Sequence, residues 1–367
     1  MTKPQFFLQF AGQGNRYLDE LKRVFHSEPD LQDFILEAGR VIECEVVRCQ
    51  RSSLSFYSYG FALEEWLTNG DKRPPAAYLH SSPISYPLTY LTQLANFLAS
   101  LKGLSRESFL ESCCGATGFS TGIMTALLVA AKLPEKVWRE RALALQALFV
   151  WAGARVQKCT LAQGVEVELA AHSPSCMARV DGLSLARLEP YIAAVKNEAR
   201  VEVAYILEEE RIVIAAMPSE LTTVQELLTK AAEDCSWQFI LSSTAAHSSY
   251  HRLALEELLQ DAVSCGFSLE ANELAMPVYS IADGRDMRTS EDMLVTALRG
   301  FLLDRGDWPK QVEAAITNGV SHVVDYGPGA GIAGLTGRRI QGEKPTVIKC
   351  SIPLGRKLFA QQIEKSC

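Results

Sequence analysis

The sequence predicts an α/β protein with a large α/β-hydrolase-like subdomain and a small inserted subdomain of ferredoxin-like (βαββαβ) topology. Three observations predict this fold: a strand-to-helix turn around Ser120, a β-α-β-β-α-β order of hydrophobic patterns after residue 175, and a return to α/β patterns beyond residue 238. The large subdomain is assigned to residues 1–174 and 238–367, and the small one to residues 175–237. A cleft between these unequal subdomains is the expected place for a site.

The turn around Ser120 reads Gly118-Phe-Ser-Thr-Gly122, the G-x-S-x-G pattern in which flanking glycines allow a sharp bend that exposes the serine hydroxyl. The apolar segment 123–130 follows and predicts a buried helix, whose first N–H groups would stabilise an oxyanion. Cys113 and Cys114 precede the turn as part of a short buried strand. A purely structural turn before a buried helix is an alternative interpretation of the same residues.

The first hundred residues predict one strand and three helices. Residues 5–10 form an apolar run that ends in Ala11-Gly-Gln-Gly14, where the backbone is expected to approach another part of the molecule closely. Apolar residues at helical spacing over 18–35 predict two helices broken near Pro29, and residues 86–104 predict a third, well-buried helix. Residues 41–82 are interpreted as surface loops and short helices.

Beyond the serine turn, residues 137–156 predict a long helix whose inner stretch carries no charge. The small subdomain then has predicted strands at 177–180, 201–207, 211–216 and 237–241, and predicted helices at 183–196 and 222–232. The chain returns to the large subdomain with helices at 253–265 and 290–303 and strands at 277–281 and 322–325.

Composition narrows the function classes. The 367 residues are 48% hydrophobic and 22% charged, which is typical of a globular protein, and the net charge of −7 argues against a nucleic-acid partner. The sequence has neither a signal-peptide pattern nor an apolar run long enough to span a bilayer, so a cytoplasmic protein without a membrane partner is expected. The ten cysteines form no C-x-x-C pair and no zinc-like cluster with histidine, so no metal is expected.

A serine nucleophile needs a base, and His247 and His251 are the best placed of the six histidines. They follow a predicted strand and precede a predicted helix, where a side chain can project into a cleft. A metal held by this pair is the alternative, but no third ligand is near in sequence. Deprotonation of Ser120 is therefore the preferred role. The remaining histidines are assigned to surface or structural positions: His26, His80, His172 and His322.

Five segments occur in a particular order along the chain: Phe10-Ala-Gly-Gln-Gly14, Gly115-Ala-Thr-Gly-Phe-Ser-Thr-Gly122, Ala246-His-Ser-Ser-Tyr-His251, Met276-Pro-Val-Tyr-Ser280 and Asp325-Tyr-Gly-Pro-Gly329. This order resembles the acyltransferase domains of fatty acid and polyketide synthases. The chain is most similar to the starter-unit acyl carrier protein transacylase domain of fungal non-reducing polyketide synthases, over nearly its whole length. Residues 15–21 and Asp307-Trp308 favour this type over a bacterial malonyl transferase.

The resemblance implies a ping-pong transfer in which Ser120 takes an acyl group from a thioester with His247 as its base. The phosphopantetheine thiol of an acyl carrier protein would then receive the group, with no bound cofactor. Carrier domains of the chain's own synthase and of a partner synthase would be the partners. The oxyanion hole would comprise Gln13 and the backbone N–H of Thr121. Many starter-unit domains have cysteine as the nucleophile, so serine here implies a greater dependence on His247.

The resemblance also bears on the acyl group. Malonyl-selecting relatives pair the substrate carboxylate with an arginine on a helix after the nucleophile, whereas residues 142–154 contain no basic residue. An aliphatic monocarboxylic starter of medium length is therefore predicted. Its expected contacts are Phe119, Leu145, Leu148, Phe149 and His251.

Other functions stay open at this point. The chain can be an acetyl- or malonyl-transferring domain of a fatty acid synthase, a Ser/His thioesterase, or a docking domain without activity. A hydrolase of this fold has an acidic third residue between the serine and the histidine, whereas Asp325 follows His247 here. Cys113 and Cys114 are lesser candidates for the nucleophile.

Overall fold

The computed structural model describes residues 5–13, 16–101, 103–165, 169, 173–195, 200–342 and 345–364. Some predictions above include positions outside these ranges: Gly14, Asn15 of the segment 15–21, Lys102 of the predicted helix 86–104, His172, and Lys196 of the predicted helix 183–196. The described residues form two sheets of five strands each, one of them parallel and flanked by helices. The predicted α/β fold with a ferredoxin-like part is confirmed.

The strands, in chain order, are β1 (Phe6–Phe10), β2 (Cys113–Gly118), β3 (Met177–Asp181), β4 (Glu202–Glu208), β5 (Arg211–Ala215), β6 (Ser236–Ile240), β7 (Val278–Tyr279), β8 (Gly306–Asp307), β9 (His322–Asp325) and β10 (Thr346–Lys349). The helices are α1 (Tyr17–Ser27), α2 (Gln32–Arg51), α3 (Leu63–Thr68), α4 (Ala76–His80), α5 (Ser82–Leu101), α6 (Arg106–Leu110), α7 (Gly122–Ala130), α8 (Glu135–Leu161), α9 (Leu185–Ala194), α10 (Pro218–Lys230), α11 (Arg252–Cys265), α12 (Met293–Leu302), α13 (Trp308–Thr317), α14 (Gly331–Arg339) and α15 (Pro353–Glu364).

The larger sheet has the order β10-β9-β1-β2-β7, and all its pairs are parallel. Every residue of β1 is buried, as expected for a central parallel strand that is covered on both faces. The carboxyl ends of β1 and β2 lie side by side, because Phe10 pairs with Gly118. Residues that follow these two strands therefore meet at one edge of the sheet, where α/β proteins place their sites.

The smaller sheet has the order β6-β3-β5-β4, antiparallel throughout, with β8 added in parallel on the edge of β4. The first four strands, with α9 and α10, form the ferredoxin-like arrangement that the sequence predicts. Strand β8 was not predicted, because two residues carry no hydrophobic period. The assigned boundaries of the subdomains stay a prediction, and the last strand of the small sheet continues to Ile240.

The helices of the large part pack around α8, which contacts α2, α5 and α11. One sequence interpretation was wrong here: residues 41–51 continue α2 and are not a surface loop. Ile42, Val46 and Cys49 follow one another at helical spacing, and all three are buried against neighbouring helices. Among the described residues, none of the helices is both long enough and apolar enough to cross a bilayer.

Candidate active site

Ser120 lies on the sharp turn between β2 and α7, with a positive φ of 54°. The glycines on either side are required by close backbone approaches. A Cβ on Gly118 would lie 2.0 Å from the carbonyl carbon of Gly122, and one on Gly122 would lie 2.4 Å from the carbonyl oxygen of Phe10. The turn therefore fits the interpretation of the G-x-S-x-G segment as a nucleophile elbow.

The turn after β1 packs directly against this elbow. The N–H of Phe119 donates to the carbonyl of Phe10 over 2.8 Å, and a Cβ on Gly12 would lie 3.0 Å from the Cβ of Ser120. The buried side chain of Gln93 donates to the carbonyl of Ala11 and fixes the turn from below. Gln13 is thereby brought to the cavity beside Ser120.

His247 accepts a hydrogen bond from the hydroxyl of Ser120, with 2.9 Å between Nε2 and Oγ. Its other ring nitrogen, Nδ1, lies 3.0 Å from the backbone carbonyl oxygen of Asp304. Since a carbonyl oxygen can only accept, Nδ1 carries the proton and Nε2 presents its lone pair to Ser120. Burial lowers the pKa of His247 to about 4, so the imidazole is neutral and able to take a proton at ordinary pH.

The segment after His247 is fixed by contacts to other elements. The N–H of Ser248 donates to the carbonyl of Leu302 over 3.2 Å. The N–H of Ser249 donates to the carboxylate of Glu202, on β4, over 3.0 Å. These bonds hold His247 in its left-handed conformation, with φ at 57°.

Two backbone N–H groups beside Ser120 are candidates for an oxyanion hole. Within the described parts of the chain, no acceptor is assigned to the N–H of Thr121 or to that of Gln13. The side-chain amide of Gln13 is engaged elsewhere, since its Nε2 donates to the carbonyl of His80 over 3.1 Å and to Ser85 Oγ over 2.7 Å. The backbone of Gln13, not its side chain, therefore has a free donor for an oxyanion.

A cavity of about 90 Å³ opens beside the hydroxyl of Ser120. The large part of the molecule contributes Gln13, Phe119, Ser120, Leu241, Ser242, Ala246 and His247, and the small sheet contributes Met177, Tyr205, Val213 and Ile240. The wall that faces the hydroxyl is therefore mostly apolar. Phe119 and Tyr205 stack on each other with ring centroids 4.1 Å apart.

Four of the predicted substrate contacts do not line this cavity. Leu145, Leu148 and Phe149 are buried among the helices, where Phe149 stacks on Tyr90 at 4.9 Å. The uncharged stretch of α8 is used in the helical core, and apolar strands of the small sheet replace it as the cavity wall. His251 is also fully buried and does not line the cavity.

Sequence reasoning missed the groups that reach the site across long separations in the chain. The carbonyl of Asp304 has no sequence signature, because any residue has one. Met177, Tyr205, Val213 and Ile240 belong to strands whose apolar character was recognised but whose inward faces were not assigned.

The remaining candidates for chemistry are less suited to it. Asp325 accepts from Gln9 Nε2 over 2.9 Å, and burial raises the pKa of its carboxyl to about 7, so it does not serve His247 as a third member. Burial raises the pKa of Cys113 well above its usual value and that of Cys114 to about 11, which keeps both thiols protonated. In the described ranges, no three His, Cys, Asp or Glu side chains form a metal-binding group.

Comparisons with known proteins show the family of the chain. The model of a family described as "Starter unit:ACP transacylase in aflatoxin biosynthesis" matches residues 8–247. The fatty acid synthase beta subunit TOXC of Cochliobolus carbonum is 25% identical, over 95% of this chain and 18% of that protein. The chain spans about a fifth of the length of the curated relatives it matches.

Solved structures share the fold at low identity. MCAT from Streptococcus pneumoniae has a TM-score of 0.71 at 18% identity, over 98% of this chain and all of that one. PlMCAT, a malonyl-transacylase solved in complex with the type II PKS acyl-carrier protein AntF, has a TM-score of 0.69 at 18% identity, over 97% of this chain and 99% of that one. These likenesses show that the large and small parts form an acyltransferase fold.

Proposed function

The chain belongs to the starter unit:ACP transacylase family, and we propose that it primes a synthase by moving an aliphatic acyl group through Ser120. The protein is an acyltransferase. The donor is a thioester, supplied by a carrier protein of a partner synthase, and the acceptor is the phosphopantetheine thiol of an acyl carrier protein. One observation carries the proposal: Ser120 donates to a neutral His247 at 2.9 Å beside an apolar cavity.

The first half-reaction forms the acyl-enzyme. His247 Nε2 takes the hydroxyl proton while Ser120 Oγ attacks the thioester carbonyl. The negative charge that develops on the carbonyl oxygen is met by the N–H groups of Thr121 and Gln13. The carbon–sulfur bond then breaks, and the leaving thiolate takes the proton back from Nε2.

The second half-reaction reverses these steps with a new thiol. Nε2 takes the proton of the phosphopantetheine thiol, whose sulfur attacks the ester of Ser120, and Oγ leaves with that proton. The carbonyl of Asp304 stabilises the imidazolium that exists during each attack, because it accepts the Nδ1 proton throughout. A backbone carbonyl thus takes the orienting role that a carboxylate has in many hydrolases.

Transfer in preference to hydrolysis is supported by the small access of water to the dyad. Ser120 is 8% exposed and His247 is 2% exposed, and the wall opposite them is apolar. Because water is excluded from the ester, hydrolysis of the acyl-enzyme should be slow, and the ester persists until a thiol enters. A Ser/His thioesterase remains the alternative, and it requires a water position that this closed wall does not favour.

The cavity also supports an uncharged acyl tail. No arginine or lysine is among its lining residues in the described chain, so a malonyl carboxylate would be desolvated without a cationic partner. An aliphatic tail would pack against Met177, Val213 and Ile240, with about 0.8 kcal/mol gained for each methylene buried. These strand residues take the place of the α8 residues expected from the sequence.

The size of the cavity favours a second candidate, acetyl transfer as in a fatty acid synthase. At about 90 Å³, the cavity is well below the range of about 300–1,000 Å³ that is usual for ligand pockets, which suits a short acyl group. A medium-length chain then fits only if a wall side chain turns aside. Met177 is the best suited to do so, because its unbranched side chain adapts easily.

Intact-mass measurement after incubation with acetyl, butyryl, hexanoyl, octanoyl and malonyl thioesters tests the proposal. We expect one acyl adduct on the unmodified protein, none on Ser120→Ala or His247→Ala, and a normal adduct on Ser100→Ala, a buried serine outside the cavity. Delivery of the adduct to a holo acyl carrier protein, faster than its loss to water, distinguishes transferase from thioesterase. A malonyl optimum, or an adduct retained in Ser120→Ala, would contradict the proposal, whereas an acetyl optimum would select the second candidate.

A further inference from the structure

We propose that Tyr205, on strand β4 of the small sheet, is a positioning residue that holds the His247 imidazole and covers it from water. The inference rests on the proposed function, because it assigns the small sheet a direct part in the chemistry of the same dyad. Tyr205 also lines the acyl cavity, but the role inferred here is its contact with the base, which is separate from any contact with the acyl tail.

The ring of Tyr205 contacts both His247 and Phe119, the residue before Ser120. It meets the imidazole of His247 edge to face, with centroids 5.1 Å apart and planes at 86°. It also stacks on Phe119, the residue before the nucleophile, at 4.1 Å and 27°. Such aromatic pairs prefer defined geometries and limit one another's rotation. One tyrosine therefore restrains the base and the segment that carries the nucleophile.

The hydroxyl of Tyr205 is anchored to the large part of the molecule. It accepts a hydrogen bond from Nε2 of Gln311, a fully buried residue on α13. The same Nε2 donates to the carbonyl of Ile281 over 3.1 Å, and Oε1 of Gln311 accepts from Thr117 Oγ1, on β2, over 3.2 Å. This network joins the tyrosine to the central sheet at Thr117, three residues before Ser120.

A short segment holds both rings at once. The carbonyl of Asp304 accepts from His247, and two residues later Gly306 pairs with Tyr205 across the β4–β8 edge. The pairing needs glycine, because a Cβ at position 306 would lie 2.2 Å from the tyrosine ring. The base and its cover are thus placed by neighbouring residues of a single segment.

Burial has a larger effect on the pKa of His247 than the charged groups near it. Burial lowers the pKa of His247, whereas the hydrogen bond to the Asp304 carbonyl and the Asp304 carboxylate, which is paired with Arg299 at 3.1 Å, raise it by less. His251 is the other titratable neighbour, and burial lowers its pKa to about 3, so it is uncharged at ordinary pH. Burial also raises the pKa of the Tyr205 phenol, which stays protonated. Removal of the covering ring should therefore let water reach His247 and raise its pKa.

The test compares Tyr205→Leu, Tyr205→Phe and Tyr90→Leu with the unmodified protein. Tyr90 is the matched control, since it is equally buried, stacks on Phe149 and donates its hydroxyl to the carbonyl of Ala142, away from the dyad. We expect Tyr205→Leu to move the acid limb of the acylation rate upward by about one pH unit and to lower the plateau about tenfold. Tyr205→Phe keeps the aromatic ring, so we expect the acid limb of its pH profile to stay in place. Tyr90→Leu should also leave the acid limb unchanged.

A second readout separates this inference from the proposed function. NMR titration of the His247 imidazole, assigned with His247→Asn, needs no substrate and reports the pKa shift directly. A shift in Tyr205→Leu with no acylation of any variant would uphold the positioning role and remove the acyl-transfer proposal. An unmoved or lowered pKa in Tyr205→Leu, or an equal rise in Tyr90→Leu, would overturn the positioning role. If circular dichroism shows Tyr205→Leu to be unfolded, Tyr205→Met, which keeps more of the volume, gives the same comparison.

Discussion

The nucleophile and the base both have left-handed backbones, but different parts of the molecule impose them. Ser120 has φ at 54° and His247 has φ at 57°, values that are costly for residues with a side chain. At Ser120 the neighbouring glycines provide the bend, through backbone approaches that leave no room for a Cβ. At His247 the restraint comes from Leu302 and Glu202, which lie on separate elements. The nucleophile is thus arranged locally, whereas the base depends on the packing of the two sheets.

The largest expected effect breaks the local side of this comparison. Gly118→Ala places a Cβ 2.0 Å from the carbonyl carbon of Gly122, within the elbow itself, and the overpacking should cost about 1–3 kcal/mol of unfolding free energy. Because the elbow must open to relieve the contact, we expect acylation of Ser120 to fall at least a hundredfold. Thermal unfolding and intact-mass kinetics measure both quantities.

The control for this change is Gly331→Ala, at the start of α14, where an added Cβ meets no atom within 4 Å. It should keep both stability and acylation near those of the unmodified protein. Normal acylation in Gly118→Ala would show that the nucleophile, like the base, is held mainly from a distance.

A smaller effect is expected from removing one of the contacts that hold His247 from another element. Glu202→Ala removes the carboxylate that accepts from the N–H and hydroxyl of Ser249, two residues after the base. Charge-assisted hydrogen bonds of this kind contribute about 1.5–3 kcal/mol. We expect acylation to slow about tenfold while the fold is kept, because the bond from Ser248 to Leu302 remains.

Glu202→Gln is the conservative partner of that change, since its amide oxygen still accepts from Ser249. It should recover most of the rate lost in Glu202→Ala. Equal rates in all three proteins would mean that the small sheet does not help to hold the base, and the contrast between the two sides would disappear.

The same contrast explains what the sequence predicted. The elbow at Ser120 and the ferredoxin-like strand order follow from local patterns, because glycine spacing and hydrophobic period act over a few residues. The choice of His247 as the base rests on its place after a predicted strand and on the family resemblance. The cavity wall does not follow from local patterns. Leu145 and Val213 are both buried and apolar in the sequence pattern, but only the packing of α8 into the helical core and of β5 over the dyad decides which one meets the substrate.

The smallest expected effect is a change in acyl chain-length preference when the cavity wall on the small sheet is altered. Residues of β5 alternate in direction: Val213 faces the dyad and lines the cavity, whereas Ile212 and Ile214 pack into the separate core beneath the small sheet. Val213→Ala enlarges the cavity by two methyl groups. Each additional methylene buried there is worth about 0.8 kcal/mol, or about a fourfold preference. We therefore expect the optimal acyl chain to lengthen by one or two carbons, with little change in the maximal rate.

Val180→Ala is the matched control for that change, because it truncates a fully buried valine of β3 on the opposite face of the small sheet. It should lower the unfolding free energy by about 1–2 kcal/mol, as a small core cavity does, and leave chain-length preference unchanged. Competition between acyl thioesters of neighbouring lengths, read from the ratio of adduct masses, measures the preference without reference to absolute rates. An unchanged ratio in Val213→Ala would place the acyl tail away from the small sheet, and an equal shift in Val180→Ala would mean that the sheet responds to any loss of packing. A shift confined to Val213→Ala would instead show that the small sheet limits the length of the acyl chain. The same sheet covers the base, so its packing against the large part would then affect both steps of the transfer.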